Sequence, residues 1–324
     1  MKGRFFRYDP VPPLAESVHP VIRYWARRDL LGDRGGSLLE VWQSRQAIAL
    51  LRRQRGEGSW AYSKGRAHVR TARQYDLLET YRMLGELVEK FGVNRRHPAL
   101  RKAADYVLRS QSREGDLRGI YSAQYSPNYT AAILELLVKA GYSNDARVAR
   151  SFVWLLRVRQ SDGGWAIPFR TRNMNLQSLA GPTVLPDPAR PFSHLVTGIV
   201  LRAFAAHPRY RRTSPTRHAA GLLAGRMFQP DTYTDRANPD FWTGFSFPFW
   251  FTDLLSTLDS LSRLGWPVED ANVQRALRWL ADRQQADGLF DLHLLRGRDK
   301  HLPEWLALAI CRVVKRFGMP LWSS

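Results

Sequence analysis

The sequence predicts an all-α protein, an α/α toroid of about six helical hairpins with inner and outer rings of helices. Three observations predict this fold: a repeated turn motif, two alternating kinds of helix, and a near absence of strand-like alternation. Repeated units stack on their neighbours and share one continuous core. The 324 residues are therefore predicted to form one domain, although length alone would allow two.

The turn motif consists of Gln or Arg, then Gly four positions on, then an aromatic residue or Leu two further. Its copies recur at roughly 50 to 65 residues, the length of one helical hairpin with its connections. The four clear copies are Gln54-Gly58-Trp60, Gln111-Gly115-Leu117, Arg159-Gly163-Trp165 and Gln284-Gly288-Phe290, and a degenerate copy runs from Arg226 to Pro230.

Helix boundaries are marked along the whole chain. The N-terminal segment, 1–36, contains a helix that begins at His19-Pro20 and ends at Gly32. The repeat ring, 37–318, contains a helix that begins at Ser214-Pro215 and a last one from Pro303 to Gly318, and 319–324 form a tail. Proline suits a first helical turn and glycine the position just past the end.

Two kinds of helix alternate between these boundaries. The amphipathic kind has apolar residues at helical spacing, as at Ala149, Phe152, Val153 and Leu156, and again in 273–280. The other kind is apolar on nearly every side, as in 133–138, 195–201 and 306–314. A helix with one apolar face is typical of an outer ring, and one apolar all round needs neighbours on most sides.

Long connections are predicted to gather at one end of the toroid. Inner and outer helices run antiparallel, so every outer-to-inner connection emerges on the same face, called here the loop pole. These connections are about 61–73, 118–129, 166–193, 229–248 and 289–302, and they are rich in aromatic and charged residues. We expect a binding site at this pole.

The chain is strongly basic, with 49 Lys and Arg against 29 Asp and Glu and a net charge of +20. Attraction to nucleic acid, to an anionic membrane surface or to an anionic substrate is one interpretation. The other is a dispersed Arg-rich surface whose long side chains cover the outer helices.

A single cysteine, Cys311, excludes an internal disulfide and any multi-Cys metal site, and its apolar surroundings predict a buried thiol. No apolar run reaches about 18 residues and no signal peptide is apparent, so a cytoplasmic protein without a spanning helix is expected. The sequence predicts no cofactor and no metal centre.

The Gln-x3-Gly-x-Trp motifs resemble the QW-type repeats of the terpenoid cyclase and protein prenyltransferase superfamily, over about residues 40 to 318. In that superfamily the Gln and aromatic residues tie the ends of the outer helices together. The segments His19–Gly32 and Glu304–Arg316 resemble a small set of squalene-cyclase-like or prenyltransferase-like bacterial and archaeal proteins. The resemblance implies a toroid with a lumen for an apolar, isoprenoid or lipid ligand.

The catalytic signatures of the superfamily are missing from the sequence. Cyclases that protonate an alkene use an Asp-x-Asp-Asp run, and Asp253 and Asp259 are too far apart to replace it. Prenyltransferases hold zinc with Asp, Cys and His, whereas the only Cys here lies in an apolar helix. The resemblance therefore implies a fold and a lumen, not a reaction.

Two carboxylates are candidate catalytic residues. Asp253 and Asp76 each lie at the start of an apolar segment, where either could act as an acid or stabilise a cation. The alternative for both is an Asp placed by the helix dipole. Asp291, His293, His301 and Glu304 could bind a metal or exchange protons, but their spacing matches no ligand motif and a solvated loop is the alternative.

Aromatic and basic residues near the loop pole are the candidate ligand-binding set. Rings can stabilise carbocations through their π faces, or they can simply pack onto the toroid. The predicted ligand-binding residues are Tyr62, Tyr125, Tyr129, Arg170, His194, Trp242, Trp250 and Trp305. Arg66, Arg70, Arg73, Arg118 and Arg172 lie near the same pole and could receive a diphosphate or a nucleic-acid strand.

Three functions follow as hypotheses. The first is binding of an apolar isoprenoid or lipid in a central cavity, with an isoprenoid cyclase- or transferase-like reaction through Asp253 if the protein is an enzyme. The second is a basic interaction module for nucleic acid or an acidic partner. The third, by analogy of fold alone, is a carbohydrate-active toroid in which Asp76, Asp253 and Asp291 would converge.

Overall fold

The computed structural model describes residues 5–62, 71–174, 179, 181–233, 237–295 and 299–322. Arg66 and Arg70, named above as candidate anion ligands, lie outside the described residues. No helix in these ranges is long and apolar enough to cross a membrane.

The fold is all-α, as predicted. In chain order the helices are α1 (Val11–Ala15), α2 (Pro20–Ala26), α3 (Leu38–Trp42), α4 (Arg45–Leu51), α5 (Ala72–Gly85), α6 (Pro98–Leu108), α7 (Pro127–Leu137), α8 (Ala146–Arg157), α9 (Pro168–Thr171), α10 (His194–Ala206), α11 (Ser214–Arg226), α12 (Leu254–Arg263), α13 (Ala271–Ala281) and α14 (Leu302–Arg316). Helices α2, α5 and α7 each continue into a π-helical turn, at Arg27–Leu31, Glu86–Lys90 and Val138–Tyr142.

The helices form two concentric rings. In the inner ring α5 packs on α7, α7 on α10, α10 on α12, α12 on α14 and α14 on α2. The ring closes between α2 and α5, where Trp25 Nε1 donates to the carbonyl of Lys90 at 2.6 Å. Helices α4, α6, α8, α11 and α13 form the outer ring, and each is followed in the chain by its inner partner, with the short helix α9 between α8 and α10.

Two short strands interrupt the helical pattern in the part of the chain that the structure describes. Strand β1 (Gly244–Phe245) pairs in parallel with β2 (His293–Leu294), with Gly244 opposite His293 and Phe245 opposite Leu294. The pair joins the connections that precede α12 and α14, so it ties two neighbouring loops together at the loop pole.

A Gln at the first motif position, or next to it in the third copy (Gln160 after Arg159), ties each motif turn to another segment of the chain. Gln54 Nε2 donates to the carbonyl of Gly58 at 3.0 Å and to that of Ala99, in the first turn of α6, at 2.8 Å. Gln111 repeats the arrangement with the carbonyl of Arg147 in α8, at 2.7 Å. In the third copy Gln160 bonds instead to the carbonyls of Asp187 and Arg190 in the long loop after α9.

The last motif closes the outer ring. Gln284 Nε2 donates to the carbonyl of Tyr8 at 2.9 Å, and Gln284 Oε1 accepts from the Tyr8 N–H at 2.9 Å. The motif glycine is needed for this approach, because Gly288 has φ +84° and an added Cβ would lie 2.5 Å from the carbonyl oxygen of Asp9. The N-terminal segment therefore takes the place of a further outer helix.

A set of inner-helix threonines binds the motif turns from inside. Each hydroxyl accepts a hydrogen bond from the backbone N–H of the residue that ends its motif. The pairs are Trp60 with Thr80 at 3.1 Å, Leu117 with Thr130 at 3.0 Å and Trp165 with Thr197 at 2.9 Å. The same turn is thus held to both rings.

The buried face of α8 differs from the one predicted. Ala149 and Val153 are exposed, whereas Val148, Phe152 and Leu155 are buried. Ser151 lies in this buried face, where its hydroxyl donates to the carbonyl of Gly115. A polar residue satisfied by a neighbouring turn thus shifted the apparent apolar stripe by one position. Cys311 is buried, as predicted, and burial raises the pKa of its thiol.

Candidate functional site

Five aromatic rings meet in the ring interior near the loop pole, and we call them the central aromatic cluster. Ring centroids are separated by 5.4 Å for Tyr81 and Trp250, 5.9 Å for Tyr81 and Tyr129, 4.9 Å for Tyr129 and Tyr121, and 5.7 Å for Tyr121 and Phe169. All four contacts are edge-to-face, the arrangement that the ring quadrupoles favour.

The central aromatic cluster is reachable from outside. Tyr121, Tyr129 and Trp250 are partly exposed, while Tyr81 and Phe169 are buried behind them. The rings come from α5, α7, α9 and the two loops before α7 and α12. No single stretch of sequence therefore encodes the cluster. Their π faces suit an unsaturated or transiently cationic apolar ligand.

The chain itself fills part of the ring interior. The segment 245–251, just before α12, reaches α14 through Phe247, whose ring stacks on Trp305 at 5.6 Å. It reaches α5 through Trp250, since a Cβ on Gly85 would lie 2.4 Å from the indole. The segment therefore occupies part of the ring interior, where the sequence predicts a cavity.

Arg202 holds the segment in place. This buried guanidinium on α10 donates to the carbonyls of Phe251 at 2.9 Å and Phe249 at 3.0 Å, which flank Trp250. Its Nε also donates to Glu135 Oε2 at 2.9 Å. Three bonds to a buried charge satisfy the requirement that such charges be paired.

A buried ion-pair layer lies beyond the rings, toward the C-terminal ends of the inner helices. Glu135 Oε1 is 2.7 Å from Lys139 Nζ, which is also 2.6 Å from Glu89 Oε1. Burial alone would raise the pKa of Glu135, but Lys139 and Arg202 outweigh it and lower the pKa.

The layer continues on α12 and α14. Asp259 accepts from Arg263 at 2.8 Å and is also paired with Arg316. Burial would raise the pKa of Asp259, but the two arginines and Lys139 lower it well below the usual range. An apolar ligand cannot replace these contacts, so the layer bounds any ligand space at this end.

Asp253 caps α12. Its Oδ1 accepts from the backbone N–H of Ser256 at 2.7 Å, and the Ser256 hydroxyl accepts from the Asp253 N–H at 3.0 Å. This reciprocal capping box accounts for an Asp at this position on structural grounds. It lies one position before the helix, not in its first turn as the sequence suggested.

Asp76, the second candidate acid, binds the turn after α4. Its Oδ2 is 2.8 Å from Arg55 Nη1, and its Oδ1 accepts from the backbone N–H of Tyr62 at 3.0 Å. Asp291, by contrast, is exposed in the loop after α13. Within the described parts of the chain, no contact brings Asp76, Asp253 and Asp291 together.

The predicted binding residues divide into two groups. Tyr129 and Trp250 belong to the central aromatic cluster, and Trp305 stacks on Phe247 in the segment that carries Trp250. The others make contacts with residues outside the cluster. Tyr62 stacks on Tyr75 at 4.9 Å, Tyr125 donates to Glu114, Arg170 donates to the carbonyl of Met174, and the ring of His194 packs on Trp242 at 4.5 Å.

Sequence reasoning missed Tyr81, Phe169 and Arg202. The first two lie inside or beside apolar stretches and look like ordinary core residues. Arg202 did carry a signal, because it is the only charged residue in α10, which is otherwise apolar or weakly polar. A lone charge in a buried helix needs a partner, and here the partner lies 67 positions away.

The last loop forms a small polar cluster with Ser17 and His19, just before α2. His301 Nδ1 is 2.9 Å from Glu304 Oε2, which also accepts from Ser17 Oγ at 3.0 Å, and the His19 ring lies 4.8 Å from that of His301. His293 is exposed and apart. Among the described residues, no three His, Cys, Asp or Glu side chains are placed to hold a metal ion.

Part of the chain matches a known family. Residues 75–181 match the model of the squalene-hopene cyclase C-terminal domain. The match confirms the resemblance to the terpenoid cyclase superfamily, over about a third of the chain, and this third carries four of the five rings of the central aromatic cluster. No curated protein matches the sequence.

Several solved structures are similar to this chain at low identity. A protein from Actinoplanes is 16% identical with a TM-score of 0.41, over 96% of this chain and 88% of that one. The type II terpene cyclase MstE from Scytonema is 14% identical with a TM-score of 0.36, over 86% and 98%. A variant of MstE in complex with geranylgeranyl dihydroxybenzoate is 14% identical with a TM-score of 0.35, over 87% and 97%. These values are too low to transfer a reaction or a ligand.

Proposed function

We propose that the protein binds an apolar, isoprenoid-type ligand against the central aromatic cluster. The observation that carries the proposal is the group of partly exposed rings, Tyr121, Tyr129 and Trp250, assembled edge-to-face from separate elements inside the ring. Aromatic faces bind unsaturated chains and cations without needing a fixed polar geometry. The family match over 75–181 supports the ligand class.

Binding, rather than acid-initiated cyclisation, is the function proposed. An acid that protonates an alkene must carry a proton and point it at the substrate. Asp253 instead accepts a backbone N–H as a helix cap, and Asp76 is paired with Arg55. Both carboxylates therefore have structural partners that account for their positions.

The first experiment is mass spectrometry of an organic extract from purified, denatured protein, followed by titration with farnesol and geranylgeraniol. Trp250→Leu and Tyr129→Leu test the cluster, and Trp266→Leu, in the turn between α12 and α13, is the matched control. Losing one covered ring is expected to cost about 1.5–3 kcal/mol, or roughly ten- to hundredfold in Kd. Equal loss in the control, or no binding to folded wild-type protein, would refute the proposal.

A separate measurement addresses catalysis. Asn caps helices about as well as Asp, so Asp253→Asn is expected to leave both the melting temperature and ligand binding nearly unchanged. If the wild-type protein converts an isoprenoid and Asp253→Asn abolishes the conversion, the function is a reaction rather than binding alone.

A further inference from the structure

Three turns at the end opposite the loop pole are joined edge to edge. Each links an inner helix to the following outer helix. The Arg95 N–H donates to the carbonyl of Ala140 at 2.9 Å, and Arg95 Nη1 donates to that of Gly141 at 3.2 Å. His207 Nε2 lies 3.1 Å from the carbonyl of Ser143. The three turns therefore form one continuous rim.

This rim carries six exposed arginines, which we call the basic edge: Arg95, Arg96, Arg101, Arg209, Arg211 and Arg212. Arg101 lies beside the first two, since its Nη1 donates to the carbonyls of Arg95 and Arg96 at 3.2 and 2.9 Å. Each guanidinium has five N–H donors, so these contacts leave most of its donors free for a ligand.

Few carboxylates offset this charge. In residues 92–101, 139–147 and 206–213 the only acidic residue is Asp145, which is paired with Arg147 at 2.8 Å. Nearby Asp105 is paired with the same arginine at 3.2 Å. The next turn along the ring carries Glu269 and Asp270, so the basic edge ends there.

We propose that the basic edge binds the phosphate backbone of duplex nucleic acid without reading its bases. Arginine presents a planar fork that matches phosphate oxygens in pairs, and every cation of the edge is arginine. Neighbouring helices pack about 8–10 Å apart, so three successive turns extend over about 20 Å. A duplex carries one negative charge per about 1.7 Å of its axis. A duplex lying along the edge therefore presents more phosphates than the edge has arginines.

The aromatic residues of the edge favour a duplex over a single strand or a membrane. Tyr142 and Tyr210 are buried under Arg95 and Arg209, with the guanidinium carbons 5.5 and 5.8 Å from the ring centroids. Neither ring is free to stack on an unpaired base. Neither can insert between lipid headgroups, as the apolar face of an interfacial helix does.

The test is the anisotropy of a fluorescent 20-base-pair duplex, titrated over a series of KCl concentrations. The variant is Arg96→Gln/Arg211→Gln/Arg212→Gln. The matched control is Arg52→Gln/Arg53→Gln/Arg157→Gln, which removes the same charge from exposed positions at or just past the C-terminal ends of α4 and α8, near the loop pole. Melting temperatures of both are compared with wild type, and Arg211→Gln/Arg212→Gln alone serves if the triple variant is unstable.

Wild-type affinity is expected to fall steeply with salt. Each lost phosphate contact flattens the log–log salt slope by about 0.9, so the triple variant is expected to lose about two to three units of slope and at least roughly tenfold in affinity at about 0.1 M salt. The control is expected to match wild type. Equal weakening in both triple variants, or binding to vesicles of phosphatidylserine and phosphatidylcholine without binding to the duplex, overturns the proposal. Ligand titration at the loop pole is expected to be the same in all three proteins.

Discussion

Arg202 offers the sharpest test of how the ring interior is held together. Replacing it with Met keeps most of the side-chain volume but removes the guanidinium. The change breaks the bond to Glu135 and the two bonds to the carbonyls of Phe249 and Phe251. It should therefore loosen the segment that positions Trp250 as well as lower stability.

The size of the effect follows from burial. Arg202 is 2% exposed and Glu135 is 4% exposed, so neither charge is compensated by water once its partner is lost. Removing one partner of a buried pair costs about 3–5 kcal/mol. Lys139 still pairs with Glu135 at 2.7 Å, which keeps the expected loss at the lower half of that range despite the orphaned carbonyls.

The assay is urea unfolding, followed both by far-UV circular dichroism and by tryptophan fluorescence. Coincident transitions from the two probes indicate that unfolding is two-state. Arg172→Met is the matched control, because Arg172 is 3.4 Å from Asp187 and the two side chains are 49% and 28% exposed. An ion pair of that kind is worth about 0–1 kcal/mol. The double variant with Glu135→Gln is expected to lose less than the sum of the single losses, since no buried charge is left unpaired.

Two results would refute this reasoning. One is a loss below about 1 kcal/mol for Arg202→Met, within the range of an exposed pair. The other is strict additivity with Glu135→Gln, which would mean that the two residues do not act through each other. An unchanged fluorescence spectrum of the folded variant would separately contradict the role of Arg202 in placing Trp250.

Three further outcomes are expected. The Gln284→Ala variant loses the two hydrogen bonds to Tyr8. At about 0.5–1.5 kcal/mol per hydrogen bond, its stability should fall by about 1–3 kcal/mol, and proteolysis of the N-terminal segment should become faster. An unchanged rate of proteolysis would contradict ring closure at this point. The arginine partners lower the pKa of buried Asp259, so the stability that this carboxylate contributes is present above the unfolded pKa of about 3.9 and is lost as pH falls below it. The Asp259→Asn variant should therefore be less stable than wild type at pH 7 and should lose less stability on acidification to pH 3. Parallel curves of stability against pH would contradict this. Burial lowers the pKa of His19, whose Nδ1 accepts from the Ile22 N–H, so the folded state is favoured above the unfolded pKa of about 6.5 and loses stability below it. The His19→Asn variant keeps a helix cap, and its melting temperature should change less than that of wild type between pH 7 and 5.5. An unchanged pH dependence would mean that other groups cause it.

The repeats made the fold predictable, but the contacts in the ring interior could not be predicted from the sequence. The spacing of Gln54 and Gly58 encodes a local turn, and a local turn repeated around the chain is enough to define the rings. Arg202 and Glu135 are 67 positions apart, so no window of sequence connects them. The packing of Trp250 on Gly85 is a contact of the same long-range kind, visible only once the ring is closed.

Asp253 shows why the candidate acids could not be resolved from sequence. A carboxylate at the start of an apolar segment has the same spacing whether it caps a helix or faces a ligand. Only the reciprocal bonds with Ser256 separate a capping box from an isolated acid. A polar residue three positions after an Asp is the signal that could have suggested this role.

On the proposed function, the depth of the ligand space sets the length of ligand that the protein can enclose. Tyr81 lies about 14 Å along α5 from its first residue, Ala72, at 1.5 Å per residue. Glu89, in the ion-pair layer, lies further along, in the π-helical turn that continues α5. A chain entering from the loop pole therefore meets the rings first and cannot pass the paired charges without desolvating them.

Affinity for a series of linear isoprenoid alcohols is consequently expected to rise with length only until the space between the loops and the rings is filled, and then to level off. Titrating geraniol, farnesol, geranylgeraniol and a longer polyprenol measures this dependence. Each buried CH₂ contributes about 0.8 kcal/mol, so a plateau is readily distinguished from a continued rise. A continued rise through the longest alcohol would mean that the ligand lies on the outer surface, where neither the rings nor the ion-pair layer limits it.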